Sequence, residues 1–260
     1  MNGLVDVVLL CGGKGTRFHE VTKDAIPKSL YKLDDLELIR FTLDVLDFSA
    51  INSLVFAIDH HADAIRDWVA EQKIPCPVHF SEQTEPGVLG AVKAALKLVT
   101  QESFIVCNTD ETRDGMVMGD LLAQHASAPQ KGATMTTTRS DRLYQHRVIT
   151  TDEDGTILAT ELKGERFKTR ETEVGQINVG FIVFRRDAVD LFDTEYGHDW
   201  SSMINPLVDK GLMRAAHNPD IRYFNVGTAQ ELAQALSYLA TQVETITPET
   251  PPQTPQPASH

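Results

Sequence analysis

The sequence predicts an α/β fold in which a mostly parallel sheet is covered by helices. Short apolar runs rich in β-branched or aromatic residues, at 4–10, 54–58, 78–80 and 104–107, alternate with stretches of helical period. That alternation is the mark of strands buried on both faces and joined by helical crossovers. With 42% hydrophobic and 23% charged residues over 260 positions, the chain has the composition of a globular domain large enough to bury a substantial core.

Taken in order, 4–10 is the first strand, and apolar residues at three- to four-residue spacing predict helices over 36–48, 61–72, 90–99 and 117–125 between the later strands. After Gln130 the pattern changes. Residues 133–138 and 147–151 read as strands, and Asp154-Gly155 makes a hairpin turn into 156–162. A further strand over 177–184 precedes helices near 187–192, 201–210 and 229–241, so the second half is mixed. The domain spans 1–243. Residues 244–260 hold five of the twelve prolines and almost no large apolar side chain, which predicts a disordered tail.

A formal net charge of −13 argues against a nucleic-acid partner, which calls for a concentrated basic surface. Cys11, Cys76 and Cys107 form neither a disulfide framework nor a zinc spacing, as expected for a reducing cytosol. Residues 1–10 lack the features of a signal peptide, and no apolar run approaches the roughly 20 residues of a membrane span. A cytoplasmic protein without a membrane partner is expected.

The most informative segment is Leu9-Leu10-Cys11-Gly12-Gly13-Lys14-Gly15-Thr16-Arg17, a strand that runs directly into three glycines. Glycine lets backbone N–H groups approach a phosphate closely, and Arg17 can offer a bidentate fork to its oxygens. The plain alternative is a tight turn. The spacing matches neither GxGxxG nor GxxxxGK[ST]. Lys28 follows in Pro27-Lys28-Ser29-Leu30, with Thr22 between.

Together, GGKGTR, the threonine and PKSL resemble the signature of the sugar-1-phosphate nucleotidyltransferase family. The resemblance continues through Thr84–Ala91, whose Gly87 and Gly90 fall on family glycines, and through Asp110 at the end of an apolar strand. It extends to Lys163, to Asn178-Val179-Gly180 and to Phe224-Asn225-Val226-Gly227-Thr228. It implies a single nucleotidyltransferase domain with a Rossmann-like, mostly parallel mixed sheet covered by helices. It also implies a reaction in which a sugar phosphate attacks the α-phosphorus of a nucleoside triphosphate and pyrophosphate leaves.

By that resemblance, Arg17 and Lys28 are the catalytic cations, and Leu10, Gly12, Gly13, Gly15, Thr16, Gln83 and Gly87 bind the nucleotide. Asp110 and Asn225 would hold Mg²⁺, while Arg147, Lys163 and Asn178 would meet the acceptor. Nucleoside triphosphate and sugar phosphate are the expected partners, with assembly into a homo-oligomer left open.

Four departures bear on the acceptor side. Asn225 stands where the family usually has a second metal-binding aspartate, so Glu111 or Asp24 is a candidate helper. Leu162 replaces a glutamate, and His146-Arg147 replaces a Tyr-Gly pair. The interval from Thr22 to Pro27 is one residue longer than the family pattern. An acceptor with a second anionic group, a heptose phosphate or a cyclitol phosphate would suit these changes. A phosphocholine- or phosphonate-type acceptor used with a cytidine nucleotide, and a catalytically weak nucleotide-sugar-binding protein, remain as alternatives. Arg147 either borders the acceptor pocket or alternates outward into water. His60-His61, at a strand-to-helix junction, reads as a cap (His60 or Asp59) rather than as a metal site.

Overall fold

Strand β1 (Val5–Leu10) is buried on both faces, with Val7 and Leu9 in one hydrophobic layer and Val8 in the other. A period of two with apolar residues on both sides is what the middle of a covered sheet requires. The computed structural model describes residues 3–13, 15–33, 35–162 and 173–245. Lys163 and residues 246–260, which make up most of the expected tail, therefore lie outside the described residues.

From β1 the chain passes through the single turn α1 (His19–Thr22), a small ribbon of β2 (Lys32–Leu33) and β3 (Leu36–Glu37), and α2 (Leu38–Leu43). Three crossover units follow: β4 (Ile51–Ile58) with α3 (Ala62–Ala70), β5 (Val78–Glu82) with α4 (Gly87–Ala95), and β6 (Ser103–Asn108). Next come β7 (Glu111–Asp114), α5 (Met118–Ala126), β8 (Ala133–Ser140), β9 (Val148–Thr151), β10 (Ile157–Glu161) and β11 (Gly175–Arg185). The described chain closes with α6 (Ser201–Asp209), β12 (Met213–His217), β13 (Arg222–Asn225) and α7 (Ala229–Thr245).

Nine strands form one sheet in the order β10-β9-β11-β6-β1-β4-β5, with β8 joining β11 and β12. β6, β1, β4 and β5 run parallel, and β11 turns the sheet mixed by pairing antiparallel with β6, β8 and β9. β9 and β10 form the expected hairpin around Gly155, whose φ is 80°. The mostly parallel sheet covered by helices is thus present, and its mixed half begins where the sequence pattern changes. Among the described residues no helix is long and apolar enough to cross a membrane.

Several predicted elements differ in extent. The helix expected over 36–48 is cut to Leu38–Leu43, because Leu36 and Glu37 pair with β2 and the Asp47 carboxylate accepts from Ser49 N to start a separate 3₁₀ turn. The segment near 187–192 is 3₁₀ rather than α-helical. β7, β12 and β13 carry too many polar residues to announce themselves, yet Glu111, Thr112 and Arg113 of β7 are buried.

One buried polar group makes stability depend on pH. His125 on α5 lies against Ser103 Oγ (3.3 Å) and Thr134 Oγ1 (2.9 Å), and burial pushes its pKa down from 6.5 to about 4. Between those values the unfolded chain takes up a proton that the native chain refuses, so stability falls as pH drops through that window. The expected loss is on the order of 3 kcal/mol at the acid end. Guanidinium unfolding at pH 7 and pH 4.5 checks it: the drop should shrink in His125→Gln, and an unchanged drop would assign the effect to other groups.

Candidate active site

β1, β4 and β6 end on one edge of the sheet, where open α/β sheets bind ligands. A cleft of about 480 Å³ opens there. Its floor is fixed by Thr109, whose Oγ1 donates to the Leu10 carbonyl at 2.8 Å and ties the end of β6 to the end of β1. Leu10, Gly13, Gly15, Thr16 and Arg17 form one wall. Gly15 takes φ 59° and its carbonyl accepts from Phe18 N at 2.7 Å, starting the 3₁₀ turn that presents Arg17. A left-handed residue at this turn is why glycine is needed.

Lys28 enters next to this loop. Pro27 holds an extended backbone, the Leu30 amide closes a turn on its carbonyl, and the Lys28 ammonium lies 5.5 Å from the centre of the Phe18 ring. Its Nζ pairs with Asp110 Oδ2 at 2.5 Å. Burial acts to raise the Asp110 carboxyl, but Lys28, with help from Arg113, holds it below its ordinary value. Asp110 is therefore ionised at neutral pH.

Asn225 reaches the same spot from the far end of the chain. β13 pairs antiparallel with β7, setting Asn225 opposite Glu111, and the Val226 amide donates to the Asp110 carbonyl at 3.2 Å. Both Asp110 and Asn225 line the cleft. Glu111 is not available to assist them. Asn108 Nδ2 donates to its Oε1 at 2.7 Å, Arg113 Nη2 to its Oε2 at 2.5 Å, and burial pushes its carboxyl up. Asp24, the other candidate helper, faces His60 and His61 instead.

Arg113, fully buried, is the brace that sequence reasoning missed. Besides Glu111 it donates to Val179 O (2.6 Å), Thr42 Oγ1 (3.1 Å) and Gly180 O (3.3 Å), locking β7 to β11 beneath the cleft. The N-x-G motif belongs to the same assembly. Asn178 Oδ1 accepts from Gly180 N at 2.9 Å, and a Cβ on Gly180 would stand 2.2 Å from Glu111 Oε2. The only sequence signal for this brace is the charged stretch directly after the β6 run.

The cleft is also lined by Asn178, Leu162, Arg147, Asp199 and Trp200. Arg147 lies in the cleft and not out in water. It donates from Nη1 to Thr160 Oγ1 at 3.0 Å and from Nη2 to Ser201 Oγ at 2.8 Å. Burial lowers its pKa while Asp199 raises it, and a guanidinium so placed stays charged at neutral pH. Asp199 and Trp200 escaped the sequence reading. Asp199 Oδ1 accepts from Ser201 N at 2.7 Å at the start of α6, a capping signal visible in Asp-Trp-Ser.

Three expected nucleotide residues do not line the cleft: Gly12, Gln83 and Gly87. Gly12 packs against the end of β4, where a Cβ would sit 2.9 Å from Asp59 N, so its missing side chain serves close packing. Gly87 takes φ 78° at the start of α4, where a Cβ would fall 2.2 Å from His198 O; its neighbour Val88 faces the cleft in its place. Gln83 sits just past β5, its amide on Ile58 O. The cap expected at His60 or Asp59 is also absent. His61 occupies the N-cap of α3 and makes no side-chain capping bond.

The chain is similar in sequence and in fold to several known proteins. A D-glycero-alpha-D-manno-heptose 1-phosphate guanylyltransferase of Campylobacter jejuni is 28% identical over 103 residues, 39% of this chain and 46% of that protein. The bifunctional protein GlmU of Clostridioides difficile is 28% identical over 193 residues, 72% of this chain and 40% of that protein. The chain thus spans less than half the length of these curated relatives. The crystal structure of HddC from Yersinia pseudotuberculosis shares the fold, with a TM-score of 0.71 at 22% identity over 91% of this chain and 100% of that one. The Nucleotidyl transferase family model matches residues 6–242, so the chain belongs to the nucleotidyl transferase family.

Proposed function

We propose that the chain transfers a nucleoside monophosphate from a nucleoside triphosphate to a sugar 1-phosphate and releases pyrophosphate. The observation that carries this reading is the Lys28–Asp110 pair in a cleft that the Arg17 loop and Arg147 also line. Family membership and the guanylyltransferase relative support it.

In the reaction, an oxygen of the sugar phosphate attacks the α-phosphorus, the bridge to the β-phosphate breaks, and its electron pair leaves with pyrophosphate. No covalent enzyme intermediate is needed; the chain must hold two anions in line and meet the growing charge. The loop amides at Gly13 and Gly15 and the Arg17 guanidinium receive the triphosphate. Lys28 exchanges its carboxylate partner for the α-phosphate, since an ammonium binds either as a point charge. Arg147 and Asn178 orient the acceptor.

Asp110 and Asn225 fit a Mg²⁺ ion, because two hard oxygen donors, a carboxylate from the turn before β7 and an amide from β13 paired with it, suit a cation that takes its remaining ligands from phosphates and water. Such an ion, when bound, neutralises phosphate charge and polarises the phosphoryl group. Pyrophosphate release from each nucleoside triphosphate, mixed with Mg²⁺ and a panel of heptose, hexose and cyclitol phosphates, tests the function. No release with any pair would sink it.

The acceptor proposed has an anionic or strongly hydrogen-bonding group beyond the reacting phosphate, because among the described residues Arg147 spends two of its five donors, on Thr160 and Ser201. A charge-assisted hydrogen bond in a partly dry site contributes roughly 1.5–3 kcal/mol. Arg147→Gly is therefore expected to raise the acceptor KM by about 10- to 100-fold and leave the triphosphate KM unaltered. Equal effects on both constants would mark Arg147 as a strut between β9, β10 and α6.

A further inference from the structure

Among the described residues, the non-glycine positions with left-handed backbone are Lys23 (φ 50°), Asp24 (φ 59°) and His61 (φ 57°), and the last two meet in space. Lys23 and Asp24 lie in the stretch between Thr22 and Pro27 that is one residue longer than the family pattern. Asp24 Oδ1 stands 2.7 Å from His60 Nε2 and 3.2 Å from His61 Nε2. One ligand atom from each residue lies within 4.8 Å of the other two, and the imidazole rings are 4.0 Å apart between centroids.

We propose that Asp24, His60 and His61 form a binding site for a divalent transition-metal ion of the zinc class, distinct from the oxygen-lined Asp110–Asn225 pair. Two imidazole nitrogens and one carboxylate oxygen are donors that such ions prefer, whereas Mg²⁺ takes oxygen. Tetrahedral ligands at about 2.0–2.2 Å from one ion stand roughly 3.3–3.5 Å apart, so both histidine–aspartate separations need only a small opening. The ordinary use of the pair is absent, since neither imidazole caps α3.

The side chains are 43%, 33% and 26% exposed for Asp24, His60 and His61, so an ion enters from solvent and keeps a position open for water or an oxygen ligand. Asp59, next to His60, packs against Gly12 of the glycine loop. A bound ion would therefore tie the end of β4 and the base of that loop to the segment leading into Pro27-Lys28. The proposal stands on these donors and does not depend on which reaction the cleft performs.

The test is Co²⁺ titration of the chelator-treated full chain in excess Mg²⁺, followed by visible absorption and calorimetry, with thermal unfolding as a check on folding. The expected result is one Co²⁺ per chain with the intense visible bands of a four-coordinate site, displaced by Zn²⁺. His60→Ala, His61→Ala and Asp24→Asn should each weaken binding at least about 10-fold, and Asp110→Asn should not. If His61→Ala fails to fold, His60→Gln and Asp24→Asn decide the matter. No Co²⁺ bands in the unaltered chain, undiminished binding in the folded Asp24, His60 and His61 variants, or loss in Asp110→Asn alone would overturn the proposal.

Discussion

Lys28→Ala is expected to lower kcat by about 10²-fold or more, because it removes the ammonium paired with Asp110 in the cleft from charge that grows in the transition state. The fold should survive. Lys28 sits in a short 3₁₀ turn held by backbone bonds from Leu30 and Tyr31, and its ammonium lies over the Phe18 ring. Steady-state pyrophosphate release, with circular dichroism to verify folding, measures this. Arg17→Ala should act in the same direction through the leaving phosphates. Equal kcat and KM in either variant and the unaltered chain would remove that residue from the machinery.

Asp110→Asn is expected to cost still more, on the order of 10²–10³-fold at ordinary Mg²⁺. With Asn225 already neutral and Glu111 committed to Arg113 and Asn108, the substitution leaves the pair without a carboxylate. It also strands the Lys28 ammonium. A magnesium titration separates the two effects: metal loss raises the Mg²⁺ needed for half-maximal rate, while simple misplacement of Lys28 lowers the plateau. The opposite change, Asn225→Asp, should shift that titration to lower Mg²⁺, because β13 already holds residue 225 beside Asp110. An unmoved curve in both variants would mean that the ion is held elsewhere.

The parts of the fold with strong apolar contrast were legible in the sequence. β1, β4, β5 and β6 stood out because strands buried on both faces cannot avoid continuous Val, Ile, Leu and Phe. The glycine loop, Lys28, Asp110 and Asn178 were found through local motifs, and they do meet in one cleft. What escaped notice depends on distant partners. Arg113 is buried only because β11 and Thr42, distant in sequence, close over it, and Trp200 reaches the cleft from a segment ninety residues beyond Asp110. Gly12 and Gly87 were assigned to ligand binding when backbone crowding by Asp59 and His198 already accounts for them. The His60-His61 junction reads as a cap by His60 or Asp59 because nothing local announces that Asp24, thirty-six residues before His60, turns toward the pair.

The pairing of β7 with β13 sets a schedule for the maturing molecule. A ribosome that has delivered the glycine loop, Lys28 and Asp110 has more than a hundred residues still to add before Asn225 emerges, on the order of ten seconds at ~5–20 residues/s. Until then the parallel strands can assemble while the edge of β7 lies uncovered and Asp110 lacks its neighbour. On the proposed function, the pair that would hold a phosphate-bound cation is thus completed late, in one step, when the last strand seats. On the same proposal, a nascent chain with the loop complete but β13 still unmade would have its phosphate-binding loop and lack the Asn225 half of its cation pair.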